Sequence, residues 1–148
     1  MINMFEEKPP IIVELEGRDR LCRQSKMGKM EVQLVGCHEL LMMVKKLREQ
    51  HGDDPVKWPV PEGQCHSSLL LKKFISSLLG QWAPPYQHAE LCHCRTVPTS
   101  RVEAAIISGA HRAEVVSRLT SAGTACGTCK PDIEAMIQYY LSSSKKSF

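Results

Sequence analysis

The sequence predicts an α+β protein: a small N-terminal β-β-α unit with one further helix, then a short all-α segment organised by cysteines. Three observations carry this reading. Met30-Glu31-Val32-Gln33-Leu34-Val35 alternates apolar and polar residues with period two, the pattern of a half-buried strand. Leu40, Leu41, Val44 and Leu47 recur with the spacing of one helical face. Four of the seven cysteines stand in two tight pairs, Cys92-His93-Cys94 and Cys126-Gly127-Thr128-Cys129, and helical patterns lie between and after them.

In chain order, Ile11-Ile12-Val13-Glu14-Leu15 reads as the first strand and residues 30–35 as the second. Between them, Gly17-Arg18-Asp19-Arg20 and Ser25-Lys26-Met27-Gly28-Lys29 read as turn or loop. A helix follows from Glu39 to about Gln50, stopped by Gly52. Pro55, Pro59 and Pro61 make residues 53–63 a stiff connection. Ser67 or Ser68 is placed to cap the next helix, which reaches Leu79 with Leu70, Leu71, Phe74, Ile75 and Leu78 as its apolar stripe and Gly80 as its end. Trp82-Ala83-Pro84-Pro85-Tyr86 then leads into the cysteine segment, so the sequence divides into residues 1–85 and 86–148.

Within the second part, Ser100 and Glu103 have the spacing of a capping box, Val102, Ala105 and Ile106 form a face, and Gly109 closes the helix. His111 to Leu119 places Val115, Val116 and Leu119 together. Pro131 suits the first turn of a third helix, faced by Ile133, Met136, Ile137 and Tyr140.

The paired cysteines carry the chemistry. Thiolates one or two residues apart lie on one short loop, and two such loops supply four sulfurs. Four sulfurs suffice for a closed tetrahedral zinc or for a four-cysteine iron–sulfur cluster. Helices starting near Ser100 and Pro131 direct positive dipole ends toward the cysteine loops, which suits an anionic centre and lowers thiol pKa values. Cys22, Cys37 and Cys65 lack a nearby partner. Cys37-His38 and Cys65-His66 offer donors to a second metal, but a cysteine in such a place ordinarily serves as a small packing residue. His93 is expected to point away from the metal, toward solvent or a supporting partner.

Cys-x-Cys, thirty-one residues, then Cys-x-x-Cys resembles the bacterioferritin-associated ferredoxin (BFD) family of [2Fe–2S] domains. The intervening text supports the likeness: Ala104-Ala105-Ile106-Ile107-Ser108-Gly109-Ala110, Glu114-Val115, and Thr120-Ser121-Ala122-Gly123-Thr124-Ala125-Cys126-Gly127-Thr128-Cys129-Lys130-Pro131. It covers about residues 90–141. Two departures stand out: Arg112 in place of a capping Thr or Ser, and Thr128 where the family often has Gly. The resemblance implies a BFD-like helix-turn-helix fold, a [2Fe–2S] cofactor, and Cys92, Cys94, Cys126 and Cys129 as its ligands. It further implies an electron carrier whose partner is a redox protein such as bacterioferritin or a flavoprotein oxidoreductase.

Composition is compatible with that expectation. The 148 residues are 43% hydrophobic and 24% charged, with formal net charge +3, a balance that does not ask for nucleic acid or a membrane surface. Arg95, Arg101, Arg112, Arg118 and Lys130 flank the motif, either as solvated charge or as guides for docking. No twenty-residue apolar run is present, and Met1-Ile2-Asn3-Met4-Phe5-Glu6-Glu7 does not read as a signal peptide; with seven cysteines, a reducing cytoplasm is expected. No serine–histidine–acid pattern, phosphate loop or paired carboxylate suggests an enzyme. A structural zinc module and a cluster-bearing sensor acting through protein contacts are the competing readings. Residues 1–85 resemble no family, and Lys145-Lys146 reads as a solvated tail.

Overall fold

The computed structural model describes residues 10–15, 18–26 and 29–142. The expectations for Met1 to Glu7, Gly17, Met27-Gly28 and Lys145-Lys146 lie outside the described residues. The chain divides into two compact units, Met1–Val60 with Leu70–Gln81, and Pro61–Leu69 with Trp82–Phe148.

The first unit is built on an antiparallel sheet of β1 (Ile11–Leu15), β2 (Asp19–Lys26) and β3 (Lys29–Val35), in the order β1-β2-β3. Its order is therefore β-β-β-α, one strand more than the sequence reading allowed. Asp19-Arg20-Leu21-Cys22-Arg23-Gln24 lacks clean alternation, yet β2 is central and bonds to a neighbour on each side. Register places Val13 opposite Leu21 and Leu21 opposite Leu34. That row carries the buried side of the sheet: Val13 and Leu21 are buried and Leu34 is half-buried. Tertiary pairing overrides weak local preference here.

Helix α1 (His38–His51) begins one residue earlier than expected and ends at Gly52, whose φ of 88° and N–H to the Arg48 carbonyl close it. Leu40 and Val44 are buried, whereas Leu41 is exposed. Asp19 Oδ1 accepts the Cys37 N–H at 2.9 Å, tying the start of β2 to the start of α1. Gly36 permits that approach: a Cβ there would lie 2.7 Å from Leu40 Cδ2 and 2.9 Å from Asp19 Oδ1. The proline-rich connection is ordered as well. Trp58 is buried and donates its indole N–H to the Gly52 carbonyl at 2.8 Å.

Helix α2 (His66–Leu78) starts before either predicted cap, at the residue after Cys65. Its expected stripe holds at Leu70, Leu71, Phe74 and Ile75, all buried; Leu69 and Ser67 are buried too, so the covered surface is wider than one stripe. It closes in a Schellman motif, with Gly80 bonded to the Ser77 carbonyl and Gln81 to that of Ser76.

The second unit holds α3 (Thr99–Ile107), α4 (Ala113–Thr120) and α5 (Lys130–Leu141), plus a small hairpin, β4 (Glu90–Cys92) with β5 (Val97–Pro98). The hairpin adds two short strands to the expected helices. Its core is Val102, Ile106, Val116, Ile133, Met136 and Tyr140, so the predicted faces of α3 and α5 are the buried ones. The face of α4 is not. Val116 is buried with Thr120, whereas Leu119 is 63% exposed. The helix is turned so that i and i+4 face inward, and the Thr120 hydroxyl is satisfied by the Val116 carbonyl at 2.7 Å.

The capping box at Ser100 does not form. Pro98 is the N-cap residue of α3 and gives no side-chain cap. Glu103 faces Tyr140 on α5 instead, and Thr99 anchors the helix start, with its N–H on the Ala89 carbonyl and its hydroxyl on that of His88. Gly109 ends α3 as expected, in a Schellman motif bonded to Ile106 and, through Ala110, to Ala105. Residues 82–90 form a strap on this unit: Trp82 meets Tyr139 and Tyr140 edge-on at 5.0 and 5.1 Å, and Ala83 donates its N–H to the Tyr139 hydroxyl at 2.8 Å.

Candidate metal centre

Each sulfur is delivered by a different local device. Cys92 ends β4 and is buried, and the chain then turns through His93, Cys94 and Arg95 to reach β5. Thr96 takes φ +53° in that turn. On the opposite side, Ser121 ends α4 in the left-handed region and Gly123 and Gly127 continue with φ +76° and +72°. Glycine suits these turns because an L side chain resists positive φ. At Gly123 a Cβ would also lie 3.3 Å from Lys130 Cγ. Cys129 is the N-cap residue of α5, whose first turn contains the predicted proline.

The sulfurs meet in two pairs, formed across the loops rather than within them. Cys94 Sγ lies 3.0 Å from Cys126 Sγ, and both residues are exposed. Cys92 and Cys129 hydrogen-bond to one another, and both are buried. The site therefore has an inner pair and an outer pair.

Each pair combines a thiolate-prone sulfur with a protonated one. In the outer pair the Cys94 thiol and then the Thr128 hydroxyl, 2.9 Å away, lower Cys126 to about 7. Cys94 is raised, because its proton is held in the bond to Cys126 and a second negative charge beside it is unfavourable. In the inner pair the Gly123 backbone N–H lowers Cys92, with help from the Arg95 and Cys94 N–H groups and the Cys129 thiol. Burial pushes Cys129 up to about 11, and the neighbouring Cys92 adds to it. A multivalent cationic centre would replace the shared protons of both pairs.

Residues 91–139 match the family model of the BFD-like [2Fe-2S] binding domain. A search of curated proteins and one of solved structures returned no match. The residues present in this segment fit the cofactor named in that family's description. Two sulfur pairs form across the loops, backbone N–H groups from both loops aim at Cys92, and two positive-φ glycines shape the turns of the second loop.

Other expectations resolve plainly. His93 Nδ1 pairs with Glu90 Oε1 at 2.8 Å and is 76% exposed, so it turns away from the sulfurs. Cys37 and Cys65 cap helices: Cys37 Sγ accepts the Leu40 N–H at 3.5 Å, and Cys65 Sγ accepts that of Ser68 at 3.4 Å and meets the Ser68 hydroxyl at 3.1 Å. Cys22 is buried within β2. Arg112 occupies the N-cap position of α4 without a side-chain cap, consistent with its departure from a capping residue.

Three contributors to the site were not identified from sequence. The sequence marks Thr128 only as a departure, although a hydroxyl two residues beyond a cysteine is within natural reach of its sulfur. The Gly123 N–H and the Arg95–Thr124 contact depend on how two distant loops meet. No local pattern reports that meeting.

Proposed function

We propose that the BFD-like domain holds a [2Fe–2S] cluster on Cys92, Cys94, Cys126 and Cys129 and serves as a single-electron carrier, without a substrate site of its own. When bound, the cluster supplies a one-electron couple. The observation that carries the reading is the division of the sulfurs into a buried pair and an exposed pair 3.0 Å apart. The inner pair anchors the centre in the core between β4 and α5. The outer pair leaves one edge of the centre at the surface, where a docked protein gains a short path to it.

Charge supports a docking role. Arg95, Arg101, Arg112, Arg118 and Lys130 are all exposed. Such a surface speeds encounter with an acidic redox protein more than it adds affinity. Bacterioferritin and a flavoprotein oxidoreductase are the partner types this reading favours. Among the described residues no helix is long and apolar enough to cross a membrane.

The test is compositional. Protein produced with ample iron and purified without oxygen is expected to carry about two irons and two sulfides per chain. It should be brown and bleach on one-electron reduction. A colourless protein with one firmly held zinc would overturn the reading in favour of a structural zinc module.

A further inference from the structure

We propose that Arg95 and Thr124 form a latch that holds the two cysteine loops in register and slows loss of the cluster from its exposed edge; the proposal rests on the reading above. Arg95 follows Cys94 directly, and Thr124 precedes Cys126 by two residues. Arg95 Nε donates to Thr124 Oγ1 at 3.1 Å, joining residues twenty-nine apart in sequence. The bond has a defined polarity. The single hydroxyl proton of Thr124 is committed to the Ser121 carbonyl at 2.6 Å, so its oxygen accepts from the guanidinium.

Both ends are anchored. Thr124 also donates its backbone N–H to the Ser121 carbonyl at 3.3 Å, in the turn that leaves α4, and Ser121 itself is fixed by its N–H on Ser117. Arg95 uses its own backbone N–H on the Cys92 sulfur, and the Gly123 N–H reaches the same sulfur from the other loop. Arg95 thus touches the inner pair through its main chain and the opposite loop through its side chain. The Cys94 and Cys126 sulfurs lie on the solvent side of the site. Besides the Cys94–Cys126 sulfur contact, which a bound centre would replace, the Arg95–Thr124 bond joins the two loops at this edge. Arg95 is in this sense a positioning residue: it acts through Cys94 and Cys126.

The experiment compares wild type with Arg95→Gln, Thr124→Val, Thr124→Ser and the Arg95→Gln/Thr124→Val double variant, each as the full chain. Cluster loss to an excess of an iron chelator is followed by visible absorbance under anaerobic conditions. Loss is expected to quicken by roughly two- to tenfold in Arg95→Gln and Thr124→Val, the range set by one hydrogen bond. The double variant should be no faster than the faster single variant, because each single change already removes the shared Arg95–Thr124 bond. Thr124→Ser, which keeps the hydroxyl, should restore the wild-type rate.

A second readout does not need the cluster. In the metal-free protein a bifunctional thiol reagent of short span should bridge Cys94 and Cys126 readily in wild type and Thr124→Ser. It should do so slowly in Arg95→Gln and Thr124→Val. Wild-type rates in both single variants, or rates that multiply in the double variant, overturn the latch. Wild-type protein that never holds iron and sulfide overturns the underlying reading instead, and the bridging assay then still decides whether the latch exists.

Discussion

At the scale of single residues, the thiols of this chain divide by what surrounds them. Cys126 sits near 7 because a thiol and a hydroxyl both donate to it, whereas burial holds Cys129 near 11. In the metal-free protein, alkylation at Cys126 should therefore rise through a midpoint near pH 7, while Cys129 stays protonated and slow until strongly alkaline pH. Thr128→Val should move the Cys126 midpoint upward, since it removes a donor to the thiolate. Peptide mapping across a pH series checks both; an unchanged midpoint in Thr128→Val would count against the hydroxyl as a stabilising donor. The remaining cysteines give a contrasting prediction. Cys37→Ser and Cys65→Ser should leave stability close to wild type, because serine is at least as good a helix cap as cysteine. Cys22→Ser buries a hydroxyl in the sheet and should cost about 1–3 kcal/mol in denaturant unfolding. The cluster spectrum should survive all three changes, whereas Cys94→Ser or Cys126→Ser should weaken or abolish it.

At the scale of elements, α4 is the instructive case. Its sequence sets Val115, Val116 and Leu119 near one another, but the fold buries Val116 with Thr120 and leaves Leu119 in water. Leu119→Lys should then change stability by no more than about 0.5 kcal/mol, as an ordinary surface substitution does. Ile106→Ala, on the buried face of α3, should cost about 2–5 kcal/mol. Thermal or denaturant melts of the two variants test the assignment, and a large loss in Leu119→Lys would restore the face read from sequence. The end of α4 carries a further expectation. Ser121 holds φ +69°, a conformation that costs a residue with a Cβ on the order of 1 kcal/mol, so Ser121→Gly should not destabilise the domain and should modestly raise its melting temperature.

At the scale of the whole molecule, the two units differ in what holds them together. The first has a three-stranded sheet and buried Leu40, Val44 and Trp58. The second relies on short helices, a hairpin and a strap of residues 82–90, and a core of this size is expected to gain much of its stability from the proposed ligation. Removing the metal should lower amide-exchange protection in α3, α4 and α5 while leaving that of β1, β2 and β3 little changed. Equal protection in the loaded and metal-free protein would contradict that division. Within the second unit, Trp82→Ala should lower protection in α5 in particular, because its ring meets both Tyr139 and Tyr140.

The sequence by itself determined the class of the fold, most helix ends, the buried faces of α3 and α5, and that the paired cysteines lie on short loops. These follow from information within a few residues: helical spacing, glycine at positive φ, and sulfurs paired on short loops. Only the tertiary structure decided that Asp19-Arg20-Leu21-Cys22 forms the middle strand, because its partners supply the pairing that its own pattern does not announce. It also decided which way α4 turns, that Glu103 meets Tyr140 rather than capping α3, and that the sulfurs pair as Cys92 with Cys129 and Cys94 with Cys126. Each of these is a contact between residues far apart in the chain. Such contacts are chosen by which packing satisfies the most buried groups at once, and no local stretch carries that comparison.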